Sequence, residues 1–226
     1  MADSHFWLDD PSDGAREREG SSEPPLTPKL YGRDVYLRAV LPSDLEFIQR
    51  MEVGGHLANR WRFRGATPNP QEWARVFWKD VLAQYLVIGR KREQPIGLAY
   101  AYKPNFQDGH AYIAAARFAP EPTPLMLSGL GLLIEHVFTC WNFRKLYFET
   151  TEYNYPQFAS GAGRFFELEG RLREYRFYGG RYWDELIFAI TRETWIEKGK
   201  PLADAQWAPG ARRVHVRMPP GSPSAP

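Results

Sequence analysis

The residues best equipped for chemistry are His110 and the run from Glu149 to Asn154. His110 opens an alternating apolar segment, and its imidazole titrates near neutral pH, which suits a general base. Glu149 alternates with Tyr147 and Thr151 along one strand face. It can take a proton directly or through water, or serve more plainly as a sheet-edge salt bridge. Glu152 and Tyr153 follow, and a phenol at Tyr153 can return a proton to a leaving group. Asn154 closes the run, able to contact a ligand or to hold a turn. His136 lies in a long apolar segment and reads as a core or surface residue. The stretch Asn59–Gly65 (NRWRFRG) interleaves arginine with aromatic rings, a pattern that stacks bases or walls a pocket. Arg171, Arg173, Arg176 and Arg181 form a solvated basic face or a dock for phosphate or a carrier.

The elements that must position these groups follow from hydrophobic periodicity. Asp34–Val40 reads as a strand. Asp44–Met51 and Gln71–Leu82 read as amphipathic helices on either side of a Gly/Pro-broken loop. Tyr85–Arg90 and Ile96–Tyr102 form a hairpin, and His110–Phe118 is a further strand. Met126–Cys140 is a long apolar helix, and Lys145–Thr151 a strand. Tyr155–Phe166 is helix-like, and Leu172–Phe177 and Glu185–Ile190 flank a Gly179-Gly180 turn. The order β-α-α-β-β-β-α-β-α-β-β predicts an α/β (α+β) fold: a mixed sheet with helices on both faces.

Composition narrows the classes. The chain has 226 residues, 43% hydrophobic and 25% charged, which is ordinary for a globular protein. Its 19 prolines crowd the ends. Residues 1–29 are acidic and poor in aliphatics, and are expected to be a disordered head. Residues 201–226 are expected to be a disordered, Pro-rich basic tail. One domain, 30–200, lies between them. No run approaches the roughly 20 apolar residues of a membrane helix, and the N-terminus has no signal-like stretch, so the cytoplasm is the expected compartment. The single cysteine, Cys140, excludes an internal disulfide framework. The scattered histidines give no metal-ligand spacing, so no metal is expected. The net charge of +2 is too small to argue for duplex nucleic acid, but it suits an acidic or phosphorylated partner.

Several segments in sequence resemble the GNAT superfamily of N-acyltransferases, most of all the branch of ribosomal-protein alanine N-acetyltransferases. The resemblance covers roughly residues 30–197. It is carried by YGRDVYLRAVLPSDLEFI, PIGLAYAY, LLIEHVFTCWNFRKLYFETTEYN ending at Asn154, the Glu169-Gly170 pair, and YGGRYWDELIFAITRETW ending at Trp195. It implies a mostly antiparallel twisted sheet of about seven strands. The two central strands, His110–Phe118 and Lys145–Thr151, would splay into a V that holds a pantetheine arm. It further implies direct acyl transfer from a pantetheine thioester to an amine, without an acyl-enzyme. Ala116, Phe118, Thr123, Leu125, Met126, Asn154 and Gln157 would contact that co-substrate.

The sequence also departs from the family pattern. The pyrophosphate-binding loop falls at Glu121-Pro122-Thr123-Pro124-Leu125-Met126. Two prolines there delete N–H donors, and Glu121 adds negative charge. Gly129-Leu130-Gly131 is no substitute and reads as close helix–sheet packing. Gly161 stands where many relatives carry a proton-donating tyrosine, which points to a bent helix or a widened channel. Gln157 replaces a serine. Losing the loop harms coenzyme A more than an acyl carrier protein, which presents the same arm on one phosphate. The expected donor is therefore a carrier-protein thioester or acyl-CoA. The expected acceptor is an amine of a small molecule, in specialised metabolism, handled by a monomer or homodimer. The alternatives are an acetyl-CoA-dependent protein N-terminal acetyltransferase, an aminoacyl-tRNA-dependent transferase, and a non-catalytic binding module.

Overall fold

The computed structural model describes residues 6–7, 29–54, 57–118, 123–205 and 213–214. The elements in chain order are β1 (Phe6–Trp7), β2 (Leu30–Tyr31), β3 (Val35–Ala39), α1 (Leu45–Val53), α2 (Pro70–Phe77), β4 (Val81–Gly89), β5 (Gln94–Asn105), β6 (His110–Arg117), α3 (Thr123–Cys140), β7 (Lys145–Thr151), β8 (Glu167–Tyr178), β9 (Arg181–Thr191), α4 (Arg192–Thr194), α5 (Lys200–Ala205) and β10 (Arg213–Val214). The main sheet has 8 strands in the order β2-β3-β4-β5-β6-β7-β9-β8, and among the described residues β1 pairs with β10 in a separate 2-stranded sheet.

All neighbours in the main sheet are antiparallel except β6 and β7. That parallel pair is short: His110, Ala111 and Tyr112 face Lys145, Leu146 and Tyr147. Past Tyr112 and Tyr147 the two strands part. β6 continues to Arg117 against β5, and β7 continues to Thr151 against β9. The sheet therefore opens into a V toward the carboxyl ends of its two central strands.

The two faces are covered differently. On one face α3 packs Leu133, Val137 and Phe138 against Val87, Ala99, Ala111, Ile113 and Leu146. Gly129 makes the approach close, since a Cβ there would lie 2.6 Å from Val87 Cγ1. Its role is helix–sheet contact, whereas Gly131 has only ordinary contacts with Trp195 and Ala203. On the other face α1 and α2 bring Ile48, Trp73 and Phe77 onto Leu86, Ile88, Leu98 and Tyr100. Asn69 caps α2, its Oδ1 accepting from Glu72 N, with Pro70 at the first helical position.

Four features differ from expectation. α3 begins at Thr123 rather than Met126, because proline in a first turn loses only an N–H that has no intrahelical partner. Tyr155–Phe166 is not an α-helix. Glu152–Gln157 and Ala159–Gly161 are short 3₁₀ turns, consistent with Pro156 and the small residues after it. The chain continues as helix across the expected boundary at 200 to Ala205, with Ala203 buried. Buried Glu135 on α3 holds this segment by accepting from Trp195 Nε1 at 2.7 Å and from Lys200 Nζ. The sheet has one strand more than expected, β2, where Leu30 and Tyr31 pair with Leu37 and Tyr36. The expected head and tail lie mostly outside the described residues, apart from the β1–β10 pair. No helix among the described residues is long and apolar enough to cross a membrane.

Candidate functional site

Backbone alternation identifies which groups face the V. Phe118 donates its N–H to Ile96 O at 3.0 Å on the β5 side. In an antiparallel ladder successive residues turn to opposite sides. The even residues of β6 therefore bond to β5, and Ile113, Ala115 and Arg117 turn their N–H and C=O groups into the opening. On the other arm, Arg192 N donates to Arg144 O at 2.9 Å, so the even residues of β7 bond to β9. Glu149 and Thr151 then face the V. This moves the expected contacts by one residue. Ala116 and Phe118 spend their backbone on β5, and their side chains are buried on the α1–α2 face, with Phe118 edge-on to Phe47.

Above the point where the strands part lies a row of aromatic rings on the α1–α2 face. Trp61, Tyr100, Tyr102, Tyr112 and Tyr147 succeed one another at 5.2–6.2 Å between centroids. His110 lies at the closed end, its ring edge-on to Tyr147 at 5.5 Å. Glu149 projects on this same face, two residues past Tyr147 and beside the opening. It makes no hydrogen bond or ion pair with any described residue. Burial first, and then neighbouring charges including Glu149, push the Tyr102 and Tyr112 hydroxyls above the usual phenol range. Both phenols thus stay protonated and able to donate.

The neighbouring carboxylate behaves differently. Glu185 is buried, accepts twice from Arg176 at 2.9 and 2.8 Å, and accepts from Thr151 Oγ1 at 3.2 Å. Glu185 is a structural anion, and Glu149 is the available one. Sequence reasoning missed Tyr102, Tyr112, Glu185 and the pairing of Arg176. The alternation of Tyr112 with Ala114 and Ala116 was a readable signal for one chemical face.

The loop after α1 forms a wall over this face. It is anchored by Glu52, a fully buried carboxylate that accepts from Trp61 Nε1 and Trp73 Nε1, each at 3.0 Å. Arg62 Nη2 lies 3.6 Å from it. Burial pushes the Glu52 carboxyl up, and Arg62 and the indoles oppose that shift. Arg62 also lies over the rings of Phe77 and Tyr100, at 5.1 and 5.0 Å. Two buried polar groups on this face keep unused hydrogen-bonding capacity, Arg62 Nη2 and the Gln84 side-chain amide.

The remaining expected residues are spread around the opening. Exposed Glu152 is paired with Arg171 at 3.1 Å, and Arg171 also holds Asp184, so its carboxylate is engaged at the surface. Tyr153 packs against Tyr178 and Trp183, with Arg60 over its ring at 5.4 Å. This makes Tyr153 part of the wall. Asn154 Oδ1 accepts from Gln157 Nε2 at 3.4 Å, a contact within one turn. Thr123, Leu125 and Met126 lie in the first turn of α3. There backbone N–H groups have no intrahelical partner, and only Pro124 among them lacks one. The Met126 side chain is buried and fills the space over Gly97, which leaves its backbone as the part free to face an anion. Glu121 and Pro122 lie outside the described residues. The place of the missing tyrosine, Gly161, is no widened channel: a Cβ there would lie 2.5 Å from the Phe166 ring. His136 is a core residue on α3, bonded to the Tyr85 hydroxyl at 3.0 Å.

No protein family's sequence profile matches the chain, and no curated relative does. Solved structures do. A GCN5-related N-acetyltransferase from Brucella melitensis superposes with a TM-score of 0.63 at 20% identity, covering 82% of this chain and 87% of that one. A spermidine N-acetyltransferase from Vibrio cholerae, in complex with coenzyme A and spermine, gives 0.61 at 20% identity over 72% and 98%. A ribosomal L7/L12 α-N-protein acetyltransferase in complex with coenzyme A gives 0.61 at 16% identity over 74% and 99%. With its one parallel pair opening into a V inside an otherwise antiparallel sheet, the chain has the fold of the GNAT N-acetyltransferases.

Proposed function

We propose that this protein is an N-acyltransferase that moves an acyl group from a pantetheine thioester to an amine. The observation that carries this reading is the opening between β6 and β7 with unpartnered Glu149 at its edge. A pantetheine arm has amides that can pair with the free backbone groups of Ile113, Ala115, Glu149 and Thr151, as an added strand would. The amine nitrogen attacks the thioester carbonyl. A C–N bond forms, the C–S bond breaks, and no acyl-enzyme intervenes. Glu149 takes the proton lost from nitrogen. Tyr112, one of the two phenols at the parting point, returns one to the leaving sulfur. A phenol held protonated by burial beside a carboxylate suits that task.

The donor is a carrier-protein thioester or acyl-CoA. The first turn of α3 offers the N–H groups of Thr123, Leu125 and Met126 to a phosphate, one fewer than usual because of Pro124. That favours a donor with one phosphate over one with a pyrophosphate. The acceptor is a small-molecule amine, and the setting is cytoplasmic.

The test is steady-state turnover with matched acyl-CoA and acyl-carrier-protein donors on the wild type, Glu149→Gln and Tyr112→Phe. Loss of turnover in both variants, with donor binding retained by calorimetry, supports the assignment. Full activity of Glu149→Gln overturns the base. Efficient saturable use of acetyl-CoA, with none of the carrier thioester, overturns the carrier donor. No binding of coenzyme A, pantetheine or carrier overturns the enzyme reading.

A further inference from the structure

Whatever carries the donor meets the residues around the open end of the V. Strand register places two turns there. β6 ends where Arg117 pairs with Gly97, near the start of β5. Gly89, at the end of β4, pairs with Gln94 on β5 and with Val35 at the start of β3. The β2–β3 turn (residues 32–34) and the β4–β5 turn (residues 90–93) therefore lie at the same end of the sheet as the opening. The first part of α3 borders them. Met126 covers Gly97, and Leu132 Cδ1 lies 3.2 Å from where a Cβ on Gly32 would stand.

The two turns are basic and tied together. Lys29, Arg33, Arg90, Lys91, Arg92 and Arg117 stand there against two carboxylates, Asp34 and Glu93. Arg90 joins the turns, its N–H donating to Asp34 O at 3.0 Å and its Nη1 to Gly32 O at 3.2 Å. Arg90 also lies over the Tyr31 ring at 5.6 Å, and Lys29 over the Tyr36 ring at 5.7 Å. The Tyr36 hydroxyl donates to Glu93 at 2.8 Å. These five side chains line a cleft. Around it Arg33, Lys91 and Arg92 are exposed, and their side chains make no hydrogen bond or ion pair with any described residue. On the β8–β9 hairpin, by contrast, Arg171 and Arg176 are already held by Glu152, Asp184 and Glu185. At the closed end the β5–β6 turn, residues 106–109, carries one acid, Asp108, and no base.

At about 4.8 Å between strands and 3.3 Å per residue, the β4–β5 turn lies roughly 14 Å from Arg117 at the lip of the opening. A standard protein interface takes about 800 Å² from each partner, a disc of roughly 16 Å radius. A protein that sends an arm into the V therefore covers these turns. Cations spread this widely on separate exposed stems attract an extended acidic surface better than they grip a single phosphate. We propose that the turns at 32–34 and 90–93 are the docking face for an acidic protein that carries the pantetheine thioester into the V. This rests on the reading of the V as the donor channel.

The experiment uses the full chain with an acetylated bacterial acyl carrier protein and with coenzyme A. Binding is read by fluorescence anisotropy and calorimetry over a series of salt concentrations, and turnover as thiol release with a panel of amines. Lys91→Glu/Arg92→Glu should weaken carrier binding about tenfold or more and flatten its salt dependence, while Kd for coenzyme A changes less than about twofold. Arg33→Glu should act in the same direction, less strongly. Lys79→Glu reverses the charge of an exposed residue near the start of β4, at the closed end, and should leave carrier binding unchanged.

Equal weakening of carrier and coenzyme A overturns the proposal. So does an equal loss from Lys79→Glu, which would make the effect one of net charge. Carrier binding that is absent, or unmoved by the double variant, overturns it as well, as does tighter binding of transfer RNA than of the carrier at the same salt. Carrier binding with the expected sensitivity but no thiol release from any donor leaves the docking face standing and counts against the transferase reading, so the two failures are separable.

Discussion

The two faces of the sheet are built to opposite ends, and the α3 face holds the larger apolar core. On the α3 face the contacts are apolar and close, with Gly129 admitting Val87 and Met126 covering Gly97. On the α1–α2 face the residues near the opening include tyrosines, arginines and carboxylates, and Arg62 and Gln84 keep buried hydrogen-bonding capacity unused. Interiors packed to crystal density tolerate little change, whereas a site must keep polar groups uncommitted. The contrast between Glu149 and Glu185, on adjacent strands of one face, is the same lesson at the scale of two residues.

That contrast breaks first at Glu149. Glu149→Gln should lower kcat/KM by roughly 10² to 10⁴, the usual worth of a general base, with unchanged chemical denaturation. Glu185→Gln should do the reverse. It leaves Arg176 with a poorer partner and costs about 1–3 kcal/mol in a denaturant titration, with a smaller effect on chemistry. Equal kinetic losses in the two variants would erase the distinction. On the opposite face, Gly129→Leu should cost about 1–3 kcal/mol through overpacking, lowering the melting temperature without changing KM for the acceptor.

The Glu52 knot sharpens the comparison through pH. Its folded pKa is raised by burial, so the folded state holds the proton more tightly than the unfolded chain does. The stability this group contributes is present at low pH and is lost as pH rises from the ordinary glutamate range through the raised value. The stability difference between wild type and Glu52→Gln should therefore shift against the wild type across that window, read by denaturation at a series of pH values. The smallest effect is expected at Lys145→Met. Its pair with exposed Glu169 is a surface ion pair worth less than about 1 kcal/mol and is screened by salt.

The central features were legible in sequence because they are local. The alternation in His110–Phe118 and Lys145–Thr151 and the long apolar run before Cys140 are each readable within one segment. What sequence reading missed depends on partners distant in the chain. Pairing with β5 decides that Ala115 rather than Ala116 faces the opening, and no periodicity within β6 reveals it. Phe166 folding into the space at Gly161 turned an apparent gap into a filled one. The helical extension to Ala205 hid behind proline and charge composition, since Trp195, Lys200 and Ala203 gain their meaning only against Glu135 and Gly131 on α3. Within the candidate site, sequence alone does not distinguish Glu149 from Glu152; the structure does, through the salt bridge of Glu152 to Arg171.

Arg192 follows directly on β9, and its guanidinium donates to the carbonyls of Phe138, Trp141 and Phe143 at 2.6–2.7 Å. These are the carbonyls at and just beyond the carboxyl end of α3, which the helix itself cannot satisfy. One side chain thus fastens that end of the helix to the last strand of the sheet. In hydrogen-exchange terms, the last turn of α3 and the amides of β9 should open together, as one cooperative unit. Among the described residues no arginine ties the first turn at Thr123 and Pro124 in this way, and that turn is held instead by the buried Met126 side chain over Gly97.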